Sequence, residues 1–126
     1  MKRAATVARY VLAIGFIVFG ANAFLNFMSP PEVGEQGGQF MGLLFESGYF
    51  NAIAILKIAA GVLLLLGRFV PLGLTLLAPI LVNILLFHVA FDPKGIGMGL
   101  VFTVLWLLVF SRHTSAFRPL WTDSRN

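Results

Sequence analysis

The chain has 126 residues and a net charge of +4, and 59% of its residues are hydrophobic whereas 11% are charged. Soluble domains contain roughly half apolar and about a quarter charged residues. This composition therefore excludes an ordinary soluble protein and indicates that lipid surrounds most side chains. The sequence contains no cysteine, which excludes disulfides and thiolate metal sites. The length fits one transmembrane domain, residues 1–126.

Four apolar runs predict membrane-spanning helices at about 7–28, 50–67, 70–91 and 96–112. A helix crosses the ~30 Å hydrocarbon core with about 20 residues, and these runs have that length or fall slightly short of it. They are apolar on every side, whereas the strands of a membrane barrel alternate in polarity. The predicted fold class is therefore all-α, an integral membrane up-down four-helix bundle.

The segment 29–49 is the one long connection, and we expect it on the outer side of the membrane. Its apolar stretch at 40–45 is too short to span a bilayer, so we predict a short interfacial or re-entrant helix between the first and second spans. A disordered loop is the alternative, although disordered segments carry few large apolar residues. Residues 113–126 are expected to form a cytoplasmic tail at the lipid interface.

The basic residues gather on one side of the predicted helices. Seven of them precede the first span, follow the second or follow the fourth: Lys2, Arg3, Arg9, Arg68, Arg112, Arg118 and Arg125. The other side carries Lys94 together with the acidic residues Glu32, Glu35, Glu46 and Asp92. The positive-inside rule therefore predicts that both termini are cytoplasmic. Because the basic residues stand at helix ends, we exclude nucleic acid as a partner.

The first run also has features of a secretory signal peptide. A basic start precedes it, and Ala21, Asn22 and Ala23 resemble a signal peptidase site. The apolar residues continue beyond that site as far as Met28, so we predict an uncleaved membrane span.

Lys57 is a charged residue inside the second run, with apolar residues on both sides. A charge at the centre of a membrane helix costs about 2.5–3.5 kcal/mol on insertion scales. We therefore expect the side chain to snorkel, to have a partner or to face a polar cavity. Glu46 is the acidic residue placed to fold back on it. We hypothesise an ion pair between Lys57 and Glu46 that holds the 29–49 segment at the mouth of the bundle.

Other polar side chains are predicted at a similar depth, in the outer halves of the helices. They are Asn22 and Asn26 in the first run and Asn83 and His88 in the third. Together with Lys57 they form a candidate polar pocket for a ligand. Structural roles are the alternatives: the asparagines would hydrogen-bond to a neighbouring helix, and His88 would cap its helix or pair with Asp92.

The sequence carries no pattern typical of catalysis or of a metal site. His88 and His113 lie on opposite sides of the predicted membrane, so they cannot share a metal ion, and no spacing of His, Asp or Glu matches a known ligand set. Ser29, Ser47 and Ser111 have no histidine paired with them at a suitable depth, and no G-x-S-x-G motif is present. We therefore assign no catalytic residue, no metal site and no cofactor held by the chain alone.

Residues 15–22, 61–73, 78–88 and 117–120 form a pattern that extends over nearly the whole chain. In these segments the sequence resembles the DoxX-like family of small four-helix bacterial membrane proteins, most specifically in the stretch that contains Asn83 and His88. The family includes a subunit of a thiosulfate:quinone oxidoreductase and members associated with membrane oxidoreductase complexes. The resemblance implies a four-helix fold in the bacterial inner membrane. Family members often carry an acid in the second helix near the position of Lys57.

The first functional hypothesis is an accessory or quinone-interacting subunit of a membrane oxidoreductase system. Lys57, Asn83 and His88 would hydrogen-bond the quinone oxygens, and a partner redox subunit would supply electrons. The apolar walls of this pocket would be Phe16, Phe19 and Phe87. The alternative is a non-catalytic scaffold or assembly protein with membrane lipid and either another subunit or a second copy as partners. A small-molecule permease is disfavoured because the predicted cytoplasmic halves of the helices offer no polar path.

Overall fold

The computed structural model describes residues 2–25 and 34–122, and it is all-helical, with no strand in those residues. The α-helices of this part of the chain are α1 (Lys2–Leu25), α2 (Gly34–Glu46), α3 (Tyr49–Leu66), α4 (Val70–Phe91), α5 (Ile96–Phe110) and α6 (Thr114–Trp121). A 3-10 turn, Pro93–Gly95, leads into α5. The predicted all-α fold class is confirmed.

Four segments are long and apolar enough to cross a membrane: α1, α3, α4 and the stretch Pro93–Phe110 that contains α5. α1 begins at Lys2, before the predicted start at residue 7, because the alanines that follow Lys2 are strong helix formers and continue the helix. The predicted end of this helix, at residues 26–28, lies outside the described residues. α5 ends at Phe110, before the predicted residue 112, because the chain turns from Ser111 onward.

α1 and α3 pack closely through facing small residues, and they run antiparallel. A Cβ atom built on Gly20 of α1 would lie 3.0 Å from the backbone oxygen of Ala54 in α3. At a second contact, a Cβ built on Gly61 of α3 would lie 2.9 Å from the backbone oxygen of Ala13 in α1. Because both positions are glycine, the two backbones approach more closely than larger side chains would permit.

α3 and α4 form a helical hairpin joined by residues 67–69. Gly67 ends α3 with a φ of 69°, a left-handed conformation that favours glycine, and its N–H contacts the Leu63 and Leu64 carbonyls. Beyond the turn, Gly73 of α4 lies beside Ala60 of α3. The two helices are therefore antiparallel neighbours.

α5 packs against both α4 and α1. The Trp106 indole N–H donates to the Leu74 carbonyl of α4 at 3.0 Å, and Gly99 lies beside Leu85, so α4 and α5 are antiparallel. On its other side, the Phe102 ring of α5 covers a glycine of α1. Each of the four long helices therefore contacts two of the others. The largest fully buried side chains lie between them: Leu12, Leu64, Leu74, Leu77 and Val109.

α2 lies across the end of the long helices at which α3 begins and α4 ends. The Phe40 ring of α2 lies 5.8 Å from the Phe87 ring and 5.5 Å from the Phe91 ring of α4, measured between centroids. Phe45 at the end of α2 stacks on Phe50 of α3 at 4.4 Å. A short helix between the first two long helices is therefore present at residues 34–46, and the disordered-loop alternative is wrong for these residues.

The opposite end of the long helices, which we call the basic end, carries the described residues Lys2, Arg3, Arg9, Arg68, Arg112 and Arg118. α6 packs at this end, where Phe117 is buried with its ring 5.2 Å from the Phe110 ring of α5. The Trp121 ring also contacts Phe110, with centroids 6.2 Å apart. The sequence predicted an interfacial tail here but not a helix that packs on α5.

Candidate functional site

Lys57 lies close to the middle of α3, in the half with which the helix begins. Eight of the 18 residues of the helix precede it and nine follow it, which places its Cα about 12–14 Å from either end at about 1.5 Å per residue. Its Cβ lies 3.3 Å from a Cβ built on Gly20, so it stands on the face that α3 presents to α1. The side chain is half-buried.

The Lys57 side chain runs along α3 toward the helix N-terminus and ends over an aromatic ring. Its Nζ lies 5.4 Å from the centroid of the Phe50 ring, and Phe45 of α2 stacks on that same ring with an interplanar angle of 29°. Side chains of α-helices tilt toward the N-terminus, which brings an ammonium group near a residue two turns earlier. A cation over an aromatic face is stabilised by about 0.5–2 kcal/mol, depending on its solvation. We call Lys57, Phe50 and Phe45 the aromatic column.

Glu46 is not the partner of Lys57 in this structure. Both residues lie in the described part of the chain, and the Lys57 ammonium contacts Phe50 and forms no ion pair there. Glu46 is exposed and lines an open concavity on the outer face of α2, together with Glu35 and Gln39. The physical reason is the helical period: one residue along α2 turns the side chain by about 100°, so Phe45 faces α3 while Glu46 faces away.

Asn83 does not line a pocket shared with Lys57. It is exposed on the face of α4 opposite the buried residues Leu77 and Leu81. Its Nδ2 donates to the Pro79 carbonyl of its own helix at 2.8 Å. Asn83 therefore lies in the second half of α4 with its side chain directed outward.

His88 is half-buried near the end of α4 and contacts its own helix through Nδ1, which lies 2.7 Å from the Ile84 carbonyl oxygen. Its ring also stands edge-on to Phe87, with centroids 5.6 Å apart. His88 and Asp92 both lie against Gly95: a Cβ built there would be 2.5 Å from Asp92 Oδ2 and 3.0 Å from His88 Cδ2. This end of α4 therefore matches the capping alternative more closely than a ligand pocket.

The remaining predicted pocket residues are the two asparagines of the first apolar run. Asn22 is half-buried near the end of α1, and Asn26 lies outside the described residues. The phenylalanines predicted to form the apolar walls of the pocket lie in two different places. Phe16 and Phe19 contact Phe102 of α5, whereas Phe87 contacts Phe40 of α2. The concavity on α2 has a volume of about 720 Å³, and a second concavity at the basic end has a volume of about 210 Å³. Lys57, Asn83 and His88 line neither of them.

Arg9 has a structural role that sequence reasoning missed. It stands on α1 beside the last turn of α3, where its Nη1 donates to the Leu64 carbonyl and lies 3.4 Å from the Leu65 carbonyl oxygen. Its guanidinium also lies 4.5 Å from the centroid of the Tyr10 ring. The last carbonyls of a helix have no partner within the helix and carry partial negative charge, so a cation here stabilises the end of α3.

Lys57, Asn83 and His88 each contact a residue of their own helix. Within the described ranges, no three His, Asp or Glu side chains come close enough to hold a metal ion. Phe50 could have been identified from the sequence as a partner of Lys57, because a residue seven positions earlier lies on the same helix face.

A comparison of the chain with protein families, with curated protein sequences and with solved structures found no match.

Proposed function

We propose that the chain is an integral membrane bundle of four spans in the bacterial inner membrane, with both termini cytoplasmic. The charge distribution supports this orientation. The basic end carries the described lysines and arginines named above, whereas the end covered by α2 carries Glu35, Glu46, Asp92 and Lys94. Cytoplasmic ends of membrane helices are enriched in Lys and Arg. The resemblance to the DoxX-like family, which remains a hypothesis, agrees with this arrangement.

Single cysteines test the orientation cleanly, because the natural chain has none. Ser47 follows α2 and Ser115 lies in α6, and both are exposed. In intact cells, a membrane-impermeant maleimide should label Ser47→Cys, and it should label Ser115→Cys only after the membrane is permeabilised. The reverse labelling pattern would refute the proposed orientation, and labelling of both in intact cells would refute the four-span topology.

Within that membrane setting we propose a non-catalytic scaffold or accessory subunit that holds a transmembrane helix of a partner protein against α4. The observation that carries the proposal is the exposed Asn83 amide. Thr75 lies on the same exposed face of α4 and also donates to its own helix, to the Pro71 carbonyl at 2.8 Å. The face otherwise presents apolar side chains such as Val82 and Leu86, which are 55% and 60% exposed.

The Asn83 amide has more hydrogen-bonding capacity than its own helix uses. One N–H reaches Pro79, while an amide also has a second N–H and an oxygen acceptor. Lipid tails can satisfy neither group, whereas a polar group on a neighbouring helix can. Such contacts between membrane helices contribute about 0.6–2 kcal/mol, enough to favour one docking face of α4 over others.

The size of the native complex tests the scaffold proposal. After extraction in a mild detergent, the tagged 13.8 kDa chain should migrate in a larger complex with a second membrane protein. Asn83→Leu should release that protein, and Asn83→Gln should retain part of it. Val7→Leu, an exposed apolar change on α1, is the matched control and should leave the complex intact. A complex that survives Asn83→Leu unchanged would refute the proposal.

A quinone-interacting accessory subunit is the second candidate, and the half-buried Lys57 ammonium beside Phe50 is the observation that favours it. A quinone ring stacks on aromatic faces, and its carbonyl oxygens accept hydrogen bonds from an ammonium group. Asn83 and His88 contact their own helix, so Lys57 is the one predicted ligand that remains in this proposal. A short-chain ubiquinone should raise the Tm of the purified protein but not that of Lys57→Met. An unchanged Tm in the natural protein would refute it.

A further inference from the structure

The basic end contains a small cavity between the first turns of α1 and the end of α5. Its volume is about 210 Å³, and its lining residues are Lys2, Ala5, Thr6, Arg9, Val109, Arg112 and His113. One liquid water occupies about 30 Å³, so the cavity has room for a polar group several times that size. It lies away from the aromatic column and away from the exposed face of α4.

The charges that line this cavity all have the same sign. Lys2 and Arg9 come from α1 and Arg112 follows α5, whereas no acidic residue of the described chain lines it. Asp123, the acidic residue nearest to this end in the sequence, lies outside the described residues. Arg9 is held in place by the end of α3 and by the Tyr10 ring. Like charges gathered at a concave surface repel each other unless an anion lies between them.

The pKa of His113 reflects the positive charges that line the cavity. His113 is half-buried, directly after Arg112. Its pKa is lowered from the ordinary value first by burial and then by the positive charges of Arg9 and Arg112. The neutral imidazole retains a ring N–H that can donate to an anion.

We propose that this cavity binds the phosphate of an anionic phospholipid headgroup in the cytoplasmic leaflet. Arginine guanidinium groups match the geometry of phosphate oxygens, and basic pockets between membrane helices at the cytoplasmic side are typical headgroup sites. The inference rests on the proposed membrane orientation for its choice of lipid over soluble phosphate. It does not depend on the partner proposed for α4.

Lipid binding to the purified full-length chain in a neutral detergent tests the proposal. The probes are short-chain phosphatidylglycerol and phosphatidylcholine, which carry the same phosphodiester but differ in net charge, and inorganic phosphate at matched ionic strength. Native mass spectrometry gives the bound lipid, and thermal unfolding gives the stabilisation that accompanies it. Phosphatidylglycerol should bind more tightly than phosphatidylcholine and should raise the Tm.

Two double variants remove the same charge from the same end of the molecule. Lys2→Gln with Arg112→Gln removes two cavity charges and leaves the structural Arg9 in place, whereas Arg3→Gln with Arg68→Gln removes two exposed charges outside the cavity. Each cavity charge is expected to weaken phosphatidylglycerol binding about fivefold, the equivalent of about 1 kcal/mol for a basic residue at a membrane surface. The control variant should bind as the natural protein does.

Three results would overturn the proposal. The first is equal affinity of the natural protein for phosphatidylglycerol and phosphatidylcholine. The second is an equal loss of affinity in the cavity variant and in the control, which would indicate a general surface effect. The third is stabilisation by inorganic phosphate that equals the stabilisation by phosphatidylglycerol, which would exclude the lipid as the source of the phosphate. None of these results depends on the complex tested with Asn83.

Discussion

The Nζ of Lys57 lies 5.4 Å from the centroid of the Phe50 ring, seven residues earlier in the same helix. Although Lys57 belongs to the centre of α3, this contact places its ammonium group near the start of the helix. No acidic residue of the described chain pairs with that group. Phe45 extends the column into α2. One lysine therefore connects the middle of α3 to the short helix that covers its end.

A double-mutant cycle measures the contact between Lys57 and Phe50. Phe50→Leu keeps an apolar side chain but removes the aromatic face, so it should lower the free energy of unfolding in the natural protein. In the Lys57→Met background the same change should cost less, by about 0.5–2 kcal/mol, the range for a cation over an aromatic ring. Chemical denaturation in detergent micelles gives the four free energies. A coupling energy of zero would contradict the aromatic column.

The end of α3 should depend on Arg9. Arg9→Gln removes a charge-assisted hydrogen bond to the Leu64 carbonyl and is expected to cost about 1–2 kcal/mol of stability. Arg9→Lys should recover part of this loss, because it keeps the charge without the guanidinium geometry. Arg3→Gln on the same helix is the control and should change stability by less than about 0.5 kcal/mol. Equal losses in Arg9→Gln and Arg3→Gln would contradict the capping role.

Two glycine-to-alanine changes should have opposite effects on stability. A Cβ on Gly61 would meet the Ala13 backbone oxygen at 2.9 Å, and backbone cannot move aside cheaply, so Gly61→Ala should cost about 1–3 kcal/mol. Gly38 lies inside α2 with nothing within 4 Å of such a Cβ. Gly38→Ala should therefore stabilise the protein by about 0.5–1 kcal/mol through helix propensity. Stabilisation by both changes would refute the close packing of α1 on α3.

Stability should fall as the pH is lowered through the titration of His113. Its pKa is lowered in the folded protein by burial and by Arg9 and Arg112, so the unfolded chain binds more protons in the window below its ordinary pKa of about 6.5. The stabilisation is present above that value and is lost as the pH falls toward the folded pKa. Thermal unfolding in zwitterionic detergent between pH about 7.5 and about 5.5 should show a steeper loss for the natural protein than for His113→Gln. Equal slopes would contradict the prediction.

The sequence alone predicted the long helices well because hydropathy is a property of each residue, and an apolar run of about 20 residues indicates a long apolar helix. It predicted the direction of polar side chains less well. Glu46 and Phe45 differ by one position, and the packing of α2 on α3 and α4 decides which of them faces α3. The outward direction of Asn83 depends in the same way on which face of α4 packs on α3 and α5.

The role of Arg9 could not be predicted from its own neighbourhood in the sequence. The carbonyls that it contacts belong to residues 64 and 65, and the contact exists because α1 and α3 pack in one antiparallel register. The positive-inside rule grouped Arg9 with the other residues of the basic end but treated it as a surface charge. Long-range backbone contacts of this kind require the packed structure.

The proposal that α4 presents a docking face for a partner helix is tested most directly by a crosslinking scan along α4 in native membranes. Photoreactive side chains would replace, one at a time, the exposed residues Val82, Leu86 and Val89 and the buried residues Leu74, Leu77 and Leu81. We expect crosslinks to one membrane protein from the exposed set and none to that protein from the buried set, a pattern with the period of the helix. Crosslinks to lipid alone from the exposed set would contradict it.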